Sequence, residues 1–105
     1  MDVYYASRSK VPLKSVCESL CTKLGLPPFT FDCHDNWRYG TAESAEVRMN
    51  VTRAGDFHTI ETWMADCPAG VNYQLILTAG AEPDGFSTML SEILESQVNR
   101  YASRG

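Results

Sequence analysis

PFTFDCHDNWRYGTAESAEVRMNVTR, residues 28–53, decides how this chain folds. Its first part alternates, with Phe29, Phe31 and Cys33 on one side and Thr30, Asp32 and His34 on the other. From residue 45 onward it alternates again, Ala45, Val47, Met49 and Val51 against Glu46, Arg48, Asn50 and Thr52. A period of two with one apolar side marks a strand that rests on a core. The piece between these runs is polar and contains Gly40, and reads as the connection between two strands. Across it lie the carboxylates Asp32, Asp35, Glu43 and Glu46, with Arg38, and with Trp37 and Tyr39 set among them. Large aromatics in a polar segment gain little unless something covers them.

Outward from this stretch, the elements follow from spacing. Residues 2–7, DVYYAS, read as a strand. Leu13, Val16, Cys17, Leu20, Cys21 and Leu24 fall on one helical face, with Pro12 at the start and Gly25 at the stop. Asp56 is a plausible N-cap for a short helix marked by Phe57, Ile60, Met64 and Cys67 and closed by Pro68 and Gly70. The β character of His58-Thr59-Ile60 makes a strand the rival there. Residues 72–79, NYQLILTA, are a last strand, and Phe86, Leu90, Ile93, Val98 and Tyr101 stripe a C-terminal helix. The order predicts one α+β domain over residues 1–105: a ferredoxin-like βαββαβ sandwich with a four-stranded antiparallel sheet and an added C-terminal helix. Its second sheet face is mostly polar, which an antiparallel sheet tolerates.

Composition narrows the partners. Thirteen acidic against nine basic side chains give a formal charge of −4, which argues against nucleic acid as the main partner and suits a basic one. The outer face expected for the strand at 45–53 offers Glu46, Arg48, Asn50 and Thr52, which cannot stack bases as RNA-binding sheets do. The N-terminus MDVYYASRSK carries no secretory signal, and no apolar run approaches the roughly 20 residues of a membrane span, so a cytoplasmic protein is predicted. Cys17, Cys21, Cys33 and Cys67 each stand where the pattern wants a small hydrophobe. A Cys17/Cys21/Cys33/His34 zinc site is the sharper alternative, but close Cys-x-x-Cys pairs are missing. No metal or cofactor is predicted.

For function, catalysis would have to rest on His34 and His58, with Asp32 or Asp35 orienting one of them. Nothing in the sequence brings the two histidines together, and no G-x-S-x-G, phosphate loop or H-E-x-x-H is present. A ligand-binding or regulatory sandwich, able to dimerise through its sheet edge, is a second alternative. Protein binding is favoured. Trp, Tyr and Arg dominate interface hot spots, and Trp37-Arg38-Tyr39 is such a triplet in an acidic surround. In size, acidity and expected architecture the chain resembles the small immunity proteins that bacteria make against their own toxins. That resemblance implies a non-catalytic complex with a cationic toxin domain, often a nuclease, whose active site is covered by acidic groups. The residues read as the binding surface are Asp32, Asp35, Trp37, Arg38, Tyr39, Glu43 and Glu46.

Overall fold

A computed structural model describes residues 1–34, 37–55 and 66–105. The elements run β1 (Asp2–Ser7), α1 (Leu13–Leu24), β2 (Thr30–His34), β3 (Trp37–Glu43), β4 (Val47–Ala54), β5 (Tyr73–Ala79), α2 (Phe86–Leu94) and β6 (Val98–Arg104). The protein is α+β, with an open sheet in the order β2-β3-β4-β5-β1-β6 and every neighbouring pair antiparallel.

The expected four-stranded ferredoxin-like sheet is corrected to six strands among the described residues, and the two extra strands have separate causes. Residues 37–43, read as a connection, form β3. Trp37, Tyr39, Thr41 and Glu43 take one face, and Arg38, Gly40 and Ala42 the other. Gly40 looked like a loop signal but marks a close approach: a Cβ there would stand 3.0 Å from Phe31 Cε1 and 3.2 Å from Cys17 Sγ. A strand glycine often records such crowding. The second correction is at the C-terminus. The helix ends at Leu94, because Glu95 turns left-handed at φ 52 and its N–H returns to the Glu92 carbonyl. From Ile93 to Val98 is a step of five, which breaks helical spacing, and VNRYASR instead pairs with β1. The helix expected from Phe57 to Cys67 lies, up to residue 65, outside the described residues, as do Asp35 and His58.

Both described helices cover one face. Cys17 and Leu20 of α1, and Phe86 and Leu90 of α2, share a core with Val3, Tyr5, Met49, Val51, Tyr73 and Leu75. Full burial of one such aliphatic side chain contributes about 1.5–3 kcal/mol. The opposite face has a smaller apolar cluster of Ala6, Ala54 and Val71, against which Cys67 and Tyr101 pack. The uniform core reading of the cysteines is therefore corrected. Cys17 is buried and Cys21 and Cys67 are half-buried, whereas Cys33 is exposed because its strand is the edge of the sheet.

One buried polar knot joins these parts. The Asn72 side chain accepts from the Ser9 N–H and donates to the Ser9 carbonyl, both at 2.9 Å. Its backbone N–H donates to Ser7, and its carbonyl accepts from Ala54. The Ser9 hydroxyl accepts from the Val11 N–H and donates to the Leu94 carbonyl. Buried polar groups need such partners, and here the partners tie β1, β4, β5, the start of α1 and the end of α2 together. Asn72→Leu strands both Ser9 backbone groups. It is expected to destabilise the fold by about 2–3 kcal/mol, seen as a lower urea midpoint at unchanged slope.

Burial also sets the alkaline limit. It pushes Tyr73 and Tyr101 from 10.0 up to about 12, against the Arg53 charge in the first case and the Gln74 hydrogen bond in the second. It pushes the Cys17 thiol from 9.0 to about 12, helped by Cys21 and Glu18. Tyr5 is raised as well, by burial and then by the Glu82 carboxylate to which it donates. In the unfolded chain these groups release their protons near their ordinary values while the native state keeps them. The native state then binds more protons, so stability falls as pH rises. Urea midpoints should decline between about pH 9 and 12, at up to about 1.4 kcal/mol per pH unit for each group.

Candidate functional site

The β2–β3 register brings part of the acidic-aromatic stretch together. Asp32 pairs with Tyr39, and His34 with Trp37. Side chains alternate along a strand, so Asp32, Trp37 and Tyr39 share the face opposite the helices. They rim a shallow depression of about 670 Å³ whose floor includes Asn50, Thr52 and Gln74. Asp32 is exposed, while Trp37 and Tyr39 are half-buried. The Tyr39 hydroxyl lies 3.4 Å from Asp32 Oδ2, and Asp32 Oδ1 accepts the Cys33 N–H at 2.7 Å.

The floor is a polar ladder held flat on the sheet. Thr52 Oγ1 donates to Asn50 Oδ1 at 3.0 Å, Asn50 Nδ2 donates to Thr41 Oγ1 at 3.2 Å, and Gln74 Nε2 donates to the Tyr101 hydroxyl at 2.7 Å. Thr52 and Gln74 are buried even though they belong to the face away from the helices. This part of the site was legible only as a list of outward polar residues. The ladder appears when the strands align, because its members come from β3, β4, β5 and β6.

The remaining residues of the expected surface are dispersed. Arg38 alternates to the opposite, helix-bearing face, where it pairs with Cys33 on one side and Arg53 on the other. Glu43 ends β3 about 20 Å from Trp37 at strand spacing, with Arg48 as its cross-strand neighbour. Glu46 belongs to the exposed turn between β3 and β4. There Ser44 Oγ accepts from the N–H groups of Glu46 and Val47. The seven residues thus divide: Asp32, Trp37 and Tyr39 form one group, Glu43 and Glu46 sit at the far hairpin, and Arg38 faces away. The two-histidine pairing expected for an enzyme, and Asp35 of the acidic surface, fall outside the described side chains.

Searches against protein-family models, curated proteins and solved structures find no match to this chain. Its reading therefore rests on geometry and chemistry. No helix among the described residues is long and apolar enough to cross a membrane.

Rim and floor should respond differently to substitution. Asp32→Asn keeps an oxygen for the Cys33 N–H and is expected to leave stability within about 0.5 kcal/mol. Asn50→Ala removes the partner of the buried Thr52 hydroxyl and should cost about 1–2 kcal/mol. Parallel urea titrations of the two variants check the contrast.

Proposed function

We propose that this protein is a non-catalytic, protein-binding inhibitor, an immunity protein that neutralises a cationic toxin domain in the bacterial cytoplasm. The observation that carries the reading is the shared rim of Asp32, Trp37 and Tyr39 over a rigid polar floor. Aromatic side chains beside an exposed carboxylate supply the two things such an interface needs. The rings give large contact area at little entropic cost, and the charge steers a basic partner into place. A carboxylate can also occupy the position that a nuclease cleft reserves for phosphate, and the overall −4 charge adds long-range attraction.

The second sheet face suits this role for a further reason. Its hydrogen-bonded side chains are already ordered, so docking costs little additional side-chain entropy. Glu43 and Glu46, at the far end of the β3–β4 hairpin, would contribute to encounter more than to the bound contact.

The test is co-expression with the product of the adjacent gene. That product is expected to be toxic alone and harmless beside this chain. An Asp32→Lys, Trp37→Ala double variant should bind at least about a hundredfold more weakly, the loss typical of two hot-spot side chains. Association of the wild type should slow with added salt. A non-toxic neighbour, or a double variant that protects and binds as well as the wild type, refutes the reading.

A further inference from the structure

The helix-bearing face has a feature that protein inhibition leaves unused. At one end of the sheet, the start of α1 stands away from β2, β3 and β4 and leaves a cleft of about 810 Å³ lined by Leu13, Lys14, Phe31, Cys33, Arg38 and Arg53. An adjoining recess is lined by Arg8, Lys10 and, again, Arg53. Five of the nine basic side chains of a net acidic chain therefore gather here, namely Arg8, Lys10, Lys14, Arg38 and Arg53. Among the described residues, the carboxylates at these recesses are Asp32 and Glu95. Asp32 belongs to the opposite face, where it meets Tyr39.

Three local choices at the cleft oppose stability. Arg38 and Arg53 are direct cross-strand partners on one face, and like charges so placed repel. Lys14 lies in the first turn of α1, which has no acidic residue and no side-chain cap, so a positive charge faces the positive end of the helix dipole. Arg53 Nε is buried and makes no hydrogen bond among the described residues, although its guanidinium lies 5.7 Å from the centroid of the Tyr73 ring. Among the described residues, the side chains of Lys14 and Arg38 make no hydrogen bond or ion pair. A sequence that breaks several local rules at one place usually serves a site there.

Beside the charges stands an apolar wall. Phe31 is 47% exposed, a high value for a large apolar ring, and Leu13 continues the wall from the helix side. We propose that this cleft binds a small organic anion, a phosphate or carboxylate head carried on an apolar body. The head sits between Arg38 and Arg53 within reach of Lys14, and the body rests on Phe31 and Leu13. Guanidinium groups match the fork of a phosphate or carboxylate, and the anion cancels the repulsion that the empty pair carries. The cleft opens on the helix-bearing face and meets the inhibitory face at the β2 edge, where Asp32 and Cys33 border both, and its test needs no protein partner.

The experiment is titration calorimetry and thermal melting of the full chain at low ionic strength with phenyl phosphate, phenylacetate and inorganic phosphate. Saturable binding of phenyl phosphate or phenylacetate, with a raised melting temperature, is expected; the tighter of the two identifies the head group. Inorganic phosphate should bind more weakly than phenyl phosphate. Equal affinity would overturn the role of the apolar wall. Arg38→Gln and Lys14→Gln should each weaken binding about tenfold or more. Without any probe, Arg38→Gln should melt no lower than the wild type, because one of two repelling charges is gone. Bound probe should also slow modification of the exposed Cys33 by a thiol reagent. No saturable binding by the phenyl probes, or binding unchanged in both variants, overturns the proposal.

Discussion

The clasp between Asn72 and Ser9 is the constraint on which the architecture depends. A single carboxamide satisfies both backbone groups of Ser9, while the Asn72 backbone spans Ser7 and Ala54. The chain leaves β1 at this point to begin α1, β5 begins here, and α2 ends against the Ser9 hydroxyl. Each of these polar groups is shielded from water, so the cost of losing one partner is the desolvation of the other.

The sheet then separates two kinds of surface. Its helix-bearing side is apolar through β1, β4 and β5, and gathers cations at the end where α1 begins. Its other side is polar, ordered by the Thr41–Asn50–Thr52 ladder, with Asp32, Trp37 and Tyr39 at the rim. Strand alternation makes this separation sharp. Arg38 stands between Trp37 and Tyr39 in sequence yet faces the opposite way. A triplet that reads as one hot spot therefore serves two faces.

How much could be read in advance differs from element to element. Helix α1 was fully legible: Pro12 precedes it, Gly25 closes it at φ 65, and Val16, Cys17 and Leu20 are its buried face. The parities of β2 and β4 were legible too, because a half-buried strand writes its period into the side chains. Strand β3 was hidden by Gly40, whose loop-like appearance has a tertiary cause, the approach of Phe31 and Cys17. Strand β6 was hidden because Val98 and Tyr101 extend an apparent helical stripe. Tyr101 in fact sits at a register irregularity opposite Tyr4 and Tyr5 and packs beside the Tyr4 ring.

By itself, then, the sequence determined the α+β class, the caps of α1, the strand parities of the central stretch and the acidity of the whole. Those properties are local or additive, and each is encoded by a residue type or a spacing. Only the tertiary structure decided which residues stand opposite one another. Asp32 meets Tyr39, and Arg38 meets Arg53, because the strands pair in one register. Period two says which face a residue takes but not who its neighbour is. Both the acidic-aromatic rim and the basic cleft are matters of neighbours.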